Sequence, residues 1–180
     1  MSKLAPPKPR SKAAARREML RAFLALRDDL AGTFLVMLGN ADDAQDALQE
    51  TFLKCWRAPD AVRTVRNLRA WIFRVGLNAA RDLQRNAWRR RLRPLDHAPT
   101  PLDRPANAPA EAAVNREALD RLRLALCGLR PEEREVFLLR QNGALTYEEI
   151  AEASGRPVGT VKTQMRAALY KLRRVLGERA

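Results

Sequence analysis

The sequence predicts an all-α fold made of two small helical domains joined by a Pro-rich linker. Apolar residues recur at i, i+3 and i+4 on both sides of that linker, which is the spacing of amphipathic helices. No segment shows the alternation of β-branched and polar residues that is typical of strands. Five prolines fall within residues 94–109, where large apolar residues are few, so neither a helix nor a core is expected there.

The same signals divide the chain into four parts. Residues 1–12 form a basic arm that we expect to be disordered, and residues 93–114 form the linker. The helical domains are residues 13–92 and 115–180, each near the lower size limit for an independent core. The arm lacks the apolar segment of a signal peptide, and no run approaches the roughly 20 apolar residues of a membrane span. The expectation is a cytoplasmic protein without membrane insertion.

The first domain begins with a helix or helix pair from Lys12 to Leu38. Gly39 ends it, and Asn40 can cap the next helix. That helix covers residues 41–57, and its spacing predicts a buried stripe of Ala44, Leu48, Phe52, Cys55 and Trp56.

An acidic stripe on this second helix contrasts with a formal net charge of +13. It consists of Asp42, Asp43, Asp46, Gln49 and Glu50. The helix dipole explains acidic residues in the first turn but not Asp46 or Glu50, which lie further along. We interpret the stripe as a surface for a basic protein partner; the alternative is a contribution to solubility alone.

A loop around Pro59 precedes a long helix over residues 67–91. Its predicted core stripe is Leu68, Ile72, Val75, Ala79, Leu83 and Ala87. A second stripe contains Arg74, Asn78, Arg81, Arg85 and Arg89. Cations along one face suit a nucleic-acid backbone, and the amide could read a base edge. Trp71 is open to two interpretations, a ring on which bases stack or a core residue. Gly76 at mid-helix costs about 1 kcal/mol relative to Ala, so a bend is expected there.

Residues 144–173 have the pattern of a helix-turn-helix. Thr146 and Glu149 match a capping box, and Gly155 with Pro157 ends the first helix. The second helix has a predicted buried stripe of Val161, Met165, Leu169 and Leu172. Its opposite face carries Thr163, Arg166 and Tyr170, flanked by Lys162 and Gln164. Such a helix enters a DNA major groove; the alternative is a helical hairpin with a solvated basic face. The net charge favours a polyanionic partner.

The sequence gives no positive evidence for an enzyme, a metal site or a cofactor. One histidine and two cysteines are too few for a structural zinc site. There is no Gly-rich phosphate loop and no serine in a nucleophile-elbow context. Cys55 and Cys127 are expected to be buried free thiols.

Three passages resemble the extracytoplasmic-function (ECF) group of bacterial sigma factors. DDAQDALQETFLKCWR is similar to a family helix with the pattern D-A-x-D-x-x-Q-E-T-F-x-x-x-W. NLRAWIFRVGLNAARDLQR is similar to the family's next conserved-pattern helix, W-L-x-x-I-A-x-N-x-x-x-D-x-x-R. The C-terminal domain, from residue 129 to residue 173, resembles the family's almost throughout. Gly76, the proline content of the linker and the basic arm depart from the pattern.

The resemblance implies a promoter-specificity subunit of bacterial RNA polymerase. By similarity, Asp46, Gln49 and Glu50 would face the clamp helices of the largest subunit of the polymerase core. Residues Arg74, Asn78 and Arg81 would lie near the melted −10 element, with Arg85 and Arg89 on the DNA backbone. The −35 element would be met by Thr160, Lys162, Thr163 and Arg166. The partners implied are core polymerase, promoter DNA and, in regulated cases, an anti-sigma factor.

Two alternatives use only part of this pattern. A stand-alone helix-turn-helix regulator would read DNA with the C-terminal domain and would not need the acidic stripe. A sigma-like decoy would bind an anti-sigma factor and would not need the arginines between Arg74 and Arg89.

Overall fold

The computed structural model describes residues 11–91 and 121–177, with the backbone alone for residues 87–91. The predicted arm up to residue 10, the linker and the side chains of Trp88 and Arg89 lie outside the described residues. Within these ranges every regular element is a helix, which confirms the all-α prediction. The helical segments are α1 Lys12–Leu38, α2 Ala41–Trp56, α3 Pro59–Thr64, α4 Leu68–Arg91, α5 at residues 121–127, α6 Pro131–Gln141, α7 Tyr147–Ser154 and α8 Val158–Gly177.

Short-range signals set the ends of the first two helices. Ser11 caps α1, because its hydroxyl accepts a hydrogen bond from the Ala14 N–H at 3.1 Å. Gly39 ends the helix in the left-handed conformation, at φ +80°, and its N–H donates to the Leu35 carbonyl at 2.9 Å. Asn40 caps α2 by accepting from the Asp43 N–H at 2.7 Å. The first segment is therefore one continuous helix of 27 residues and not a helix pair.

The segment around Pro59 is a short helix, and the predicted loop is wrong there. Pro59 occupies the first turn of α3, where its missing N–H needs no partner. Pro59 and Val62 are buried, and α3 packs mainly on α1. The sequence signal at the proline was that of a helix start, which has the same composition as a turn.

Helices α1, α2 and α4 form the core of the N-terminal unit, in which Phe34, Met19 and Leu30 are fully buried. In the predicted stripe of α4, Ile72 and Ala79 are buried, and Leu68, Val75 and Leu83 are partly buried. The buried surface of α4 is wider than one stripe, because it also includes Trp71, Phe73, Leu77 and Ala80. This helix is packed against α1 and α2 and also against α7.

Gly76 lies where α4 meets α1 and α2 most closely. A Cβ atom at this position would stand 2.6 Å from Cζ of Phe34 and 3.3 Å from Oγ1 of Thr51. Phe34 is 1% exposed and has little room to move. The glycine therefore allows a close approach of helices, and α4 continues through it as one helix.

We expect Gly76→Ala to lower the stability of the fold. Alanine favours the helix by about 1 kcal/mol, but an overpacked core costs about 1–3 kcal/mol. The thermal midpoint should fall in Gly76→Ala and recover when Phe34→Leu is added. Gly32→Ala is the matched control, since a Cβ in α1 there meets only the Asn142 amide at 4.0 Å. A stabilised Gly76→Ala variant would contradict the packing argument.

Two residues expected in the core are exposed. Trp56 is the last residue of α2 and is 36% exposed. One face of its ring stacks on Phe52, with 5.8 Å between centroids, and the Arg16 guanidinium carbon lies 5.4 Å from the ring centroid. Cys127 is exposed near the end of α5, whereas Cys55 is buried as predicted. Burial raises the pKa of Cys55 to about 12, so this thiol is protonated at neutral pH.

The C-terminal unit contains the predicted helix-turn-helix. Thr146 and Glu149 form the capping box of α7, with the Glu149 N–H donating to the Thr146 hydroxyl at 3.2 Å. Gly155 ends α7 at φ +69°. The predicted stripe of α8 faces inward: Val161, Met165 and Leu172 are buried and Leu169 is partly buried.

The two helical units share one apolar core. A single cluster of buried side chains includes Met19 and Ile72 from the first unit and Val136, Ile150 and Val161 from the second. The expectation of two independent cores is therefore wrong for this arrangement. Helix α1 contacts α6 and α4 contacts α7, which brings the two units into direct contact. Among the described helices, none has the length and apolar character needed to cross a membrane.

Candidate nucleic-acid interface

The exposed face of α8 carries the residues that were predicted to meet duplex DNA. Thr160, Lys162, Thr163 and Arg166 are all exposed, while Val161 and Met165 between them are buried. Thr163 donates to the Gly159 carbonyl at 3.0 Å, and the Lys162 ammonium lies 5.8 Å from the centroid of the Tyr147 ring. Within the described ranges Arg166 makes no hydrogen bond or ion pair. Its guanidinium is free to bind a ligand.

A buried carboxylate fixes the turn that precedes α8. The Arg156 guanidinium donates to Glu135 of α6 at 2.9 Å and to the Gln164 amide oxygen of α8 at 3.2 Å. The Glu135 side chain is only 6% exposed. A hydrogen-bonded ion pair at such a site restricts the orientation of both partners. Arg156 thereby connects α6, the turn and the start of α8.

The arginine stripe of α4 is divided by the fold. Asn78 and Arg85 are exposed, and Arg85 pairs with Asp82 on its own helix. Arg74 and Arg81 are partly buried and bind carboxylates of the C-terminal unit. The side chain of Arg89, the last member of the predicted stripe, lies outside the described residues.

Trp71 does not present its ring as a platform for bases in this arrangement. It is 8% exposed and belongs to the shared apolar core. Its position beside Ile72 on a helix that is packed on several sides explains the burial. The edge that remains accessible lines a cleft of about 400 Å³ between the units, together with Asn67, Arg74, Glu149 and Glu152.

The acidic residues of α2 lie on an accessible surface. Asp46 and Gln49 are exposed, and Glu50 is partly exposed with Lys54 at 3.5 Å. Beside them is an apolar groove of about 280 Å³, which sequence reasoning missed because its residues were assigned to the core. The groove is lined by Phe23, Leu48, Gln49, Phe52 and Leu53. An amphipathic partner could contact acidic and apolar groups here together.

A row of hydrogen bonds joins the long helix to the C-terminal unit, and we call it the α4 seam. Its donors are Asn67, Arg69, Arg74 and Arg81, and its acceptors are Glu149, the Asn142 and Gly143 carbonyls, Glu152 and Glu135. Asn67, Arg74 and Arg81 are spaced by seven residues, which places them on one side of the helix. That spacing is visible in the sequence, but the acceptors resembled ordinary acidic residues of the first turns of helices.

Glu149 belongs both to the capping box and to this seam. The hydrogen bond from the Thr146 N–H lowers the pKa of Glu149 below 4.5; burial opposes this effect, and the Asn67 amide adds to it. The ionised carboxylate thus stabilises the folded chain above pH 4.5, and this stabilisation is lost as the pH falls through the lowered pKa.

We therefore expect Glu149→Gln to flatten the loss of stability in acid. Glutamine at this position of a capping box can still accept the hydrogen bond, so the variant should fold. Stability would be measured by urea unfolding between pH 3 and pH 7, with the exposed neighbour Glu148→Gln as control. Equal acid dependence in wild type and Glu149→Gln would contradict the assignment.

Comparison with known proteins agrees with this geometry. Residues 15–90 match the family model of Sigma-70 region 2, and residues 119–172 match that of Sigma-70, region 4. The chain is 35% identical over 174 residues to the ECF RNA polymerase sigma factor SigL of Mycobacterium tuberculosis, covering 92% of this chain and 93% of SigL. The chain belongs to the ECF group of RNA polymerase sigma factors. The resemblance stated from the sequence is thereby confirmed.

Other ECF sigma factors and solved structures extend the comparison. The sigma factor EcfG of Rhodopseudomonas palustris is 31% identical over 159 residues, with 84% of this chain and 85% of EcfG covered. The fold matches RpoE of Bartonella quintana in complex with the anti-sigma factor NepR, at a TM-score of 0.71 and 23% identity over 91% and 97% of the two chains. It also matches CnrH in complex with the cytosolic domain of CnrY, at a TM-score of 0.66 and 26% identity over 94% and 96%.

Proposed function

We propose that this ECF sigma factor binds the RNA polymerase core and directs it to promoters by recognising −35 and −10 elements and helping DNA to melt. The observation that carries the proposal is the match to SigL, which extends through both helical units in the same order. A stand-alone helix-turn-helix regulator would account for the C-terminal unit alone. The accessible acidic residues and groove of α2 support a role for the N-terminal unit as well.

In this proposal α8 enters the major groove at the −35 element. Thr160, Lys162, Thr163 and Arg166 are the contacts, since all four are exposed on one face of the helix. The start of that helix is held by the Arg156–Glu135 pair, which fixes its direction relative to α6. Backbone contacts would position the helix and the side chains would select the base pairs.

Helix α4 in turn meets the −10 element after melting. Arg74 and Arg81 neutralise phosphates near the element, and Arg85 and Arg89 follow the DNA backbone. Asn78 is exposed and has no hydrogen bond to any other described residue, so its amide is available to a base. We keep Trp71 here as a residue that borders the cleft of α4 rather than as a stacking ring.

We expect Asn78→Ala and Arg85→Ala to change promoter use differently. An amide that reads a base edge discriminates between bases, whereas an arginine on phosphate does not. Transcription by the reconstituted polymerase would be measured on promoters that are varied at each −10 position. Asn78→Ala should alter the order of preference, and Arg85→Ala should weaken all promoters by a similar factor. The same pattern in both variants would remove this division of roles.

The α2 surface is proposed as the site for the clamp helices of the largest polymerase subunit. Asp46, Gln49 and Glu50 supply acidic and amide groups beside the apolar groove. A basic, amphipathic partner helix complements both features. Because the proposed partners are core polymerase and chromosomal DNA, we infer that the protein acts in the cytoplasm, as a binding subunit and not as an enzyme.

An anti-sigma factor is a further proposed partner. The fold and arrangement of this chain match CnrH in its complex with the cytosolic domain of CnrY over 94% of the present chain. This likeness supports the view that the arrangement seen here is compatible with such an inhibitor. Co-purification of the chromosomal neighbours of its gene would identify it.

Transcription with purified core polymerase on a genomic library tests the whole proposal. The expected result is a small set of start sites, each preceded by the same pair of elements, which core polymerase alone does not use. Specific duplex binding without polymerase, and no start sites with it, would favour a stand-alone regulator. Binding to an anti-sigma factor without any transcription would favour a decoy.

A further inference from the structure

The α4 seam occupies the arginines that the proposed function assigns to DNA. Arg81 donates to both carboxylate oxygens of Glu135, at 2.7 and 2.9 Å from Nη2 and at 3.2 Å from Nε. Arg74 donates to Glu152 at 2.9 Å. An arginine whose planar donors face a carboxylate cannot offer the same donors to a phosphate. DNA and the C-terminal unit therefore compete for one face of α4.

The seam is continuous along this part of the helix. Asn67 donates to Glu149 at 2.5 Å, and Arg69 donates to the Gly143 and Asn142 carbonyls at 2.5 and 2.6 Å. The strongest member is the Glu135 site, because its carboxylate is buried and also binds Arg156. The Arg74–Glu152 pair is more exposed and contributes less.

The compact arrangement is also too small to reach both promoter elements. Their names place them about 25 base pairs apart, which is about 85 Å along the duplex at about 3.4 Å per pair. A compact chain of this length has a radius of gyration of about 16 Å. With α4 in contact with α7, the helix-turn-helix cannot lie on the −35 element while α4 lies on the −10 element.

We infer that the α4 seam is an autoinhibitory contact: in the free chain the C-terminal unit covers the DNA-binding face of α4, with Glu135 and Glu152 in the place of phosphates. Promoter binding then requires the two units to separate. This inference rests on the proposed role of α4 in DNA binding. It assigns a function to acidic residues that the helix-turn-helix itself does not need for reading DNA.

The test compares two double variants with the same change in charge. Glu135→Gln with Glu152→Gln removes the carboxylates of the seam. Glu132→Gln with Glu148→Gln is the control, since these exposed residues lie on the same two helices and make no contact with α4 among the described residues. Both variants make the chain more basic by the same amount, so non-specific attraction to DNA cancels.

Two readouts are taken without core polymerase. The first is the affinity for a fluorescein-labelled single-stranded 20-mer of random sequence, measured by anisotropy. The second is the energy transfer between dyes on Arg21→Cys and Arg173→Cys, which are exposed positions on α1 and α8. Cys127 is replaced by serine for labelling, and buried Cys55 is retained.

The seam variant should bind the strand at least about 5-fold more tightly than the control, the lower end of typical coupling between sites. Its energy transfer should fall, while wild type and control remain in the high-transfer state. Equal DNA affinities of the two double variants, or low transfer in wild type, would overturn the inference.

If the seam variant does not fold, as judged by circular dichroism, Glu152→Gln alone decides the question, because it leaves the Glu135–Arg156 pair intact. It should shift both readouts in the same direction by a smaller amount, and no shift would overturn the inference. The dye measurement involves no promoter, whereas start sites require both polymerase and promoter. An open wild-type chain that still directs transcription would therefore remove the autoinhibitory contact alone.

Discussion

Reversing both charges of the acidic surface, Asp46→Arg with Glu50→Arg, is expected to weaken binding to core polymerase by about 100-fold or more. Asp46 is exposed and Glu50 is paired only with Lys54 at 3.5 Å, so the fold should tolerate both changes. Against a basic partner surface, two arginines replace attraction by repulsion, and like charges brought together cost several kcal/mol. A 100-fold loss corresponds to about 2.7 kcal/mol.

The measurement is a titration of labelled core polymerase with each variant. Asp28→Arg with Glu132→Arg is the control, because both residues are exposed and lie outside α2, and the change in net charge is equal. The control should bind within a few-fold of wild type. A second variant, Leu53→Ser with Trp56→Ser, tests the exposed apolar side of the same surface. Wild-type affinity in the charge-reversed variant would remove α2 from the polymerase interface.

Local structure was largely predictable from the sequence, because helix ends depend on neighbouring residues. Ser11 apart, the caps formed by Asn40, Gly39, Thr146 and Gly155 were all signalled by their residue types and spacing. The inward stripe of α8 was predicted for the same reason, since a helix with one buried face has an unambiguous period.

The remaining features depend on which helix meets which. Gly76 was expected to weaken or bend α4, but only the position of Phe34 shows that it allows a close contact. Trp56 has a core-like residue type, yet it ends its helix and has no neighbour over one side. Periodicity reports the face of a helix and not the partner that covers it.

The seam illustrates the same limit at the candidate site. The arginines of α4 had the pattern of a DNA-binding face, and nothing local distinguished phosphate from carboxylate as their ligand. Glu135 and Glu152 are separated from Arg81 and Arg74 by 54 and 78 positions in the chain. A single sequence does not pair residues across such a distance. The roles of these arginines toward DNA remain predictions that the proposed experiments address.

Arg166→Ala is expected to relax base preference at one position of the −35 element. Arg166 is exposed on α8, opposite buried Met165 and two turns into the helix, and it is free of contacts within the described residues. A guanidinium in the major groove most often binds guanine O6 and N7 with two hydrogen bonds. Losing such a pair costs about 1–3 kcal/mol at the cognate base and nothing at the others. Transcription or binding by the reconstituted polymerase should therefore fall by about 5- to 150-fold on the best promoter.

The position dependence decides between a base contact and a phosphate contact for Arg166. The variant would be assayed with core polymerase on promoters that differ at each −35 position, at several salt concentrations. A base contact predicts that Arg166→Ala loses discrimination at one pair and keeps the salt slope of wild type. A phosphate contact predicts an even loss on all promoters and a salt slope smaller by about one unit. Tyr170→Ala, one turn further along the exposed face, is the control and should leave the preference at that pair intact. An even loss would make Arg166 an anchor on the backbone and leave Lys162 and Thr163 as the residues that read the bases.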